Sequence, residues 1–184
     1  MTAILAQPPH ATIEGWRLRP LERSEAALAY PLLLALESPP VPLPAWQERV
    51  RGWLAGRRSR KSDRGIMTLR NQAGVIAGMF FYVLATNAEA PPVLLVPFIR
   101  AIEPVGGWRG LGAVLQAIDA LAQRLGCSGI LVQAEPDDNG TWIQISSGLE
   151  AIGRSHGYVR RGTDWYRPIE NEAGIVRLPG RLTQ

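Results

Sequence analysis

The sequence predicts a mixed α/β fold in one domain, and three observations carry that prediction. Its 184 residues suit one domain of ordinary size. Hydrophobic residues make up 46% of it, enough for a core and too many for a disordered chain. Apolar spacing switches between the helical period and strand-like runs, in the order β-α-α-β-β-β-α-β-α-β-β.

The elements follow in order. Residues 1–13 are expected to form a flexible N-terminal arm and 171–184 a polar C-terminal tail with Gly174, Pro179 and Gly180, leaving 14–170 as the domain. Trp16 to Arg19 alternates Trp-Arg-Leu-Arg, a short strand ended by Pro20. Residues 23–36, rich in Ala and Leu, predict a helix that Pro31 breaks or kinks. Ser38-Pro-Pro-Val-Pro-Leu-Pro44 reads as a loop. Beyond it Trp46, Val50, Trp53 and Leu54 recur at helical spacing, which turns the neighbouring arginines outward.

Two apolar runs, Ile66–Arg70 and Val75–Leu84, flank Asn-Gln-Ala-Gly and predict a hairpin. A polar loop over 86–92 leads to a strand over Val93–Ile102, where Pro97 lacks an amide donor and implies a bulge. Positions 111, 114, 115, 118, 121, 122 and 125 form one helical face, ended by Gly126. A buried strand over Gly129–Ala134, a turn at Glu135–Gly140 and a helix marked by Trp142, Ile145, Leu149 and Ile152 come next, with Gly157 as its stop. Tyr158–Arg161 and Asp164–Ile169 form a last hairpin across Gly162-Thr163.

Composition excludes several function classes. Cys127, the single cysteine, permits no internal disulfide, and with only His10 and His156 beside it no metal site is expected. No apolar run approaches the roughly 20 residues of a membrane span. The start, MTAILAQPPH, lacks the features of a signal peptide, so a soluble cytoplasmic protein without a membrane partner is expected. The net charge of +4 is unevenly spread. Residues 48–64 hold seven cations (Arg49, Arg51, Arg57, Arg58, Arg60, Lys61 and Arg64) against two acids, so the remainder is slightly acidic. This cluster reads first as a solvated helix face and loop, and second as a lip that attracts an anionic substrate. A nucleic-acid partner is disfavoured, because no helix-turn-helix or RNA-binding signature accompanies the patch.

The segment most suited to chemistry is Ala101-Ile-Glu-Pro-Val-Gly-Gly-Trp-Arg-Gly-Leu-Gly-Ala113, between a strand and a strong helix. Its glycines let backbone approach a ligand, and the first turn of the helix offers amides and a dipole to an anion. A dinucleotide GxGxxG fails, since Leu115 stands at its sixth position, and no GK[ST] is present for a P-loop. No GxSxG supports a hydrolase. Cys127 reads as a packed thiol and His156 as a cation welcome at a helix C-terminus. Phe80-Phe81-Tyr82 reads as core packing, and Glu135–Gly140 as a turn, because Ser146 stands where a calcium loop needs glutamate.

Ile102-x-Pro104-x-x-Gly107-x-x-Gly110-x-Gly112 resembles motif A of the GNAT-type N-acetyltransferase superfamily, and Gly157-Tyr158 stands where that family closes a helix on Gly-Phe. The resemblance runs from about Trp16 to Ile169. It implies a GNAT-like mixed, mostly antiparallel sheet flanked by helices. It also implies transfer of an acetyl group from acetyl-CoA, as cosubstrate, to a small-molecule or peptide amine by direct attack on the thioester, and it allows a homodimer. Backbone at Ile102 and Pro104 would hold the pantetheine arm. Amides over Gly107, Trp108, Arg109, Gly110, Leu111, Gly112 and Ala113 would cradle the pyrophosphate, with Arg109 available to a phosphate.

Two departures stand out. Gly107 replaces the family's Gln or Arg, and Gly153 replaces the tyrosine that protonates the departing thiolate. General acid catalysis contributes about 10²–10⁴-fold, and a thiol of pKa about 8.5 is a tolerable leaving group. Loss of the tyrosine slows such an enzyme without forbidding it. The same glycine fits a catalytically weak or inactive acyl-CoA-binding or regulatory protein. Glu103 lies beside the expected thioester, but the strand's alternation leaves its direction open, so no catalytic residue is assigned.

Overall fold

The computed structural model describes residues 11–13, 15–34, 41–55, 64–87, 90–102, 108–133 and 147–169. Eight strands form one sheet in the order β1-β2-β3-β4-β5-β6-β8-β7. They span Ala11–Ile13 (β1), Trp16–Pro20 (β2), Arg64–Arg70 (β3), Ile76–Asn87 (β4), Ala90–Ala101 (β5), Gly129–Val132 (β6), Val159–Arg161 (β7) and Asp164–Pro168 (β8). Every pairing is antiparallel except β5 with β6. That parallel pair needs a crossover, which the helix Arg109–Arg124 supplies.

Side-chain alternation along the strands divides the core in two. Met67, Phe80, Leu94 and Val96 face the Arg109–Arg124 helix, whose buried face runs through Leu111, Val114, Leu115, Ile118 and Leu121. Ile66, Met79 and Phe81 turn to the other side and pack on Leu32, Leu33, Trp46, Val50 and Leu54. Phe80 and Phe81 are thus both buried, one per face, where core packing was expected. Burying such a side chain fully is worth about 1.5–3 kcal/mol.

Several local expectations are refined. Ala11–Ile13, inside the predicted arm, pairs with β2; residues 1–10 and 170–184, with the predicted tail, lie outside the described residues. The helix predicted over 23–36 is a 3₁₀ segment, Arg23–Ala29, continuing as α1, Tyr30–Leu34. Pro31 falls in the first turn of α1, where its missing N–H costs nothing. Helix α2, Leu43–Ala55, starts inside the predicted loop, because Pro44 is likewise tolerated in a first turn. Trp46 Nε1 donates to the Ala26 carbonyl at 2.8 Å and ties α2 to the 3₁₀ segment. The loop predicted over 86–92 is largely strand, with Asn87 opposite Ala90.

The cation cluster is also refined. Arg49 and Arg51 are exposed on α2, as expected. Arg64 instead belongs to β3, with its guanidinium carbon 5.5 Å from the centre of the Trp53 ring. Arg57, Arg58, Arg60 and Lys61 lie outside the described residues.

The bulge expected at Pro97 is present. Phe81 faces Phe98 and Val83 faces Leu95, so Val96 and Pro97 together oppose Tyr82. Two residues against one reverse the alternation. Leu94 and Val96 enter the core before the bulge, and Ile99 enters the same core after it. Without the bulge Arg100 would point there instead.

Candidate functional site

Strand β5 has a neighbour on both sides only over its first half. Val93–Val96 pairs with Gly129–Val132, and the Gln133 amide donates to the Val96 carbonyl at 3.0 Å. Past Val96, β5 continues for five residues beside β4 alone, with no partner on the β6 side among the described residues. The sheet opens there. Ile102, 44% exposed, follows the strand directly on that open stretch.

Backbone alternation decides what faces the opening. The Ile102 amide donates to the Ala77 carbonyl at 2.8 Å and so is spent on β4. Antiparallel pairing then turns the polar groups of Ala101 and Ile99 away from β4, towards the opening. The Ile99 carbonyl accepts from Arg100 Nη1 at 2.8 Å, and the buried guanidinium lies 4.1 Å from the Phe98 ring centre.

The chain next enters α3, Arg109–Arg124, with Trp108 as its cap. The first turn of α3 carries no acidic side chain that would compete for its amides or repel an anion there. Gly112 donates to the Trp108 carbonyl at 2.8 Å, closing the first helical turn. The Gly112 amide is therefore spent within the helix, which narrows the cradle expected over Gly107–Ala113. Leu111 is buried in the core, so its side chain takes no part. Pro104 and Gly107, along with Glu103, lie outside the described residues.

A cavity of about 620 Å³ lies over this end of α3, lined by Trp108, Arg109, Gly112, Ala113, Gln116, Ile152, Ser155 and His156. Four of these are predicted site residues. The other four were missed, although Gln116 lies one turn beyond Gly112 and His156 directly precedes the predicted stop at Gly157. Opposite α3, the chain forms a π-helical turn, Leu149–Gly153, and a 3₁₀ turn, Arg154–His156, ended by Gly157 at φ 77°. Trp142 and Ile145, predicted for the same helix, lie outside the described residues. The glycine at 112 leaves the space: a Cβ there would lie 3.6 Å from His156 Nε2 and 3.8 Å from Ile152 Cδ1.

A polar network backs the cavity one turn further along α3. Asp119 accepts from Arg167 Nη1 and, at 3.4 Å, from the Tyr158 hydroxyl. Burial outweighs these partners and raises the Asp119 carboxyl to about 6. Burial, and secondarily the Arg167 charge, lower the His156 pKa. The expected cationic histidine at a helix C-terminus is thus corrected: its surroundings favour the neutral ring.

Gly153, at the position of the family's tyrosine, is buried, with a Cβ position 3.5 Å from the Trp165 ring. Cys127 is buried and its thiol is pushed up to about 11, an unreactive packed group as expected. Among the described residues no cluster of three His, Cys, Asp or Glu side chains could hold a metal, and no helix is long and apolar enough to cross a membrane.

By sequence the chain matches no family model and no curated protein. By structure it is similar to a ribosomal L7/L12 α-N-protein acetyltransferase in complex with coenzyme A, with a TM-score of 0.60 and 12% identity over 86% of this chain and 97% of that one. An acetyltransferase from Trypanosoma brucei gives a TM-score of 0.54 at 14% identity, covering 85% and 99% of the two chains. Glucosamine-6-phosphate N-acetyltransferase from Arabidopsis thaliana gives 0.54 at 12%, covering 81% and 95%. The chain has the GNAT fold. In this GNAT fold the cavity lies between the first turns of the crossover helix and the turns over 152–156.

Proposed function

We propose that this GNAT-fold protein is an N-acetyltransferase that moves an acetyl group from acetyl-CoA to an amine by direct attack on the thioester. One observation carries the reading: β5 loses its second neighbour past Val96, and the next described element after it, α3, begins beneath a cavity. A long ligand with an amide-rich arm and an anionic end suits that pair. The arm would add hydrogen bonds to the open edge of β5 at Ile99 and Ala101. The anionic end would meet the α3 dipole, the Arg109 side chain and donors upstream of Gly112. Ile102, Pro104, Gly107, Trp108, Gly110 and Ala113 would shape the passage between them, and Leu111 would contribute backbone alone. The solved structures of this fold bound to coenzyme A support the same cosubstrate.

In direct transfer the amine nitrogen bonds to the thioester carbon, the C–S bond breaks, and the amine loses a proton as the thiolate gains one. The side chain at 153 cannot supply that proton, so water or the acceptor itself must do so. This argues for a slow enzyme. Its acceptor is a small-molecule or peptide amine.

A second reading is favoured by Gly153 itself: an acyl-CoA-binding protein without turnover. Trp165 fills the space beside this glycine, as it would if catalysis had been given up. Calorimetry with acetyl-CoA, followed by thiol release over a panel of amines, tests both. Binding below millimolar ligand with thiol release on one amine class is expected. Binding without turnover on any amine establishes the second reading, and absence of binding at millimolar ligand overturns both.

A further inference from the structure

Among the described residues that line the cavity, His156 alone is of a type that changes charge near neutral pH. Its Nε2 sits over the gap left by Gly112, on the wall that faces the first turns of α3. Arg167 on β8 acts on it electrostatically, Arg109 on α3 lines the same cavity, and Arg154 shares its turn. Asp119 on α3 is the nearby carboxylate, but Arg167 and Tyr158 already hold it. Among the described residues no carboxylate pairs with His156. A phosphate in the cavity would provide an anion.

We propose that His156 contacts the phosphate groups of the cavity's ligand directly and takes up a proton from solvent when they bind. This rests on the coenzyme A reading above and names how that site recognises its anionic end. In the free protein burial and Arg167 disfavour the charged ring. A bound diphosphate opposes both effects, since its negative charge offsets Arg167 and pairs with the imidazolium. Binding therefore strengthens as pH falls, and by linkage the occupied protein holds its proton to higher pH.

With only two histidines in the sequence, the imidazole resonances in an NMR titration are simple to assign. His156→Gln removes one of them; should that variant fail to fold, His10→Gln leaves the His156 signal alone. The probes are coenzyme A and inorganic pyrophosphate, each at saturation. The His156 titration midpoint is expected to lie below that of an ordinary histidine without ligand and to rise by about one unit with either probe. Coenzyme A affinity should fall about tenfold more between pH 6 and pH 8 in the parent protein than in His156→Gln. Comparison with the variant removes the titration of the ligand's own phosphates. An unchanged midpoint with coenzyme A bound overturns the proposal. If pyrophosphate moves the midpoint and coenzyme A does not bind, the acyl-CoA reading falls and the phosphate contact stands. No response to either probe overturns the contact.

Discussion

Asp119 shows how much a single buried carboxyl is asked to do at the residue scale. Its oxygens accept from Arg167 and from the Tyr158 hydroxyl, yet burial still raises it from 3.8 to about 6. The folded protein therefore holds a proton that the unfolded chain has released between those pH values. Stability from this group is complete below pH 4 and is lost as pH rises to about 6. The stability difference between the parent and Asp119→Asn should shrink over that window, by up to about 3 kcal/mol less what solvent screens, and stay level above it. Urea unfolding at closely spaced pH values measures it; a flat difference from pH 4 to 7 would contradict the assignment. Glu25 has the opposite sign. Hydrogen bonds from Arg70 at 2.8 and 3.0 Å lower its pKa, so its contribution disappears only in acid.

At the scale of elements, two packing contacts position the cavity. A Cβ on Gly148 would lie 2.5 Å from Leu111 Cδ2 and 2.9 Å from the Trp108 ring. The chain entering the π-helical turn thus rests directly on the start of α3, and only glycine fits between them. Gly148→Ala must push Trp108 or Leu111 aside, at a cost of about 1–3 kcal/mol. Because Trp108 walls the cavity, coenzyme A affinity should fall along with the unfolding midpoint. Gly52→Ala, on α2 with open space around it, serves as the control and should leave affinity unchanged. Loss of stability at Gly148→Ala with affinity intact would show that Trp108 does not shape the site.

The same scale explains what could be read from sequence. The α3 face, the Pro97 bulge and the stops at Gly126 and Gly157 were legible because each depends on a local property: apolar period, a missing donor, or positive φ. Leu43 and Pro44 were misjudged because proline excludes a helix interior but not a first turn. His156 was misread for a different reason. Its position before Gly157 is local, whereas Arg167 and the gap at Gly112 reach it from distant parts of the chain. The cavity residues Gln116, Ile152 and Ser155 carry no chemical signature at all, and only the fold brings them together.

For the molecule as a whole, the opening of the sheet past Val96 has a dynamic consequence. Amides along Val93–Val96 lie between two neighbouring strands, whereas those of Ile99 and Ala101 face the side that β6 has left. Slow exchange with solvent requires a hydrogen-bonded partner or exclusion of water. In deuterated buffer, Ile99 and Ala101 should exchange faster than Leu94 in the free protein, despite belonging to one continuous strand. Saturating acetyl-CoA should slow the first two selectively, and no change there would contradict strand-edge binding. The middle of the sheet, ordinarily the last place to admit solvent, would then be where the protein reports its occupancy.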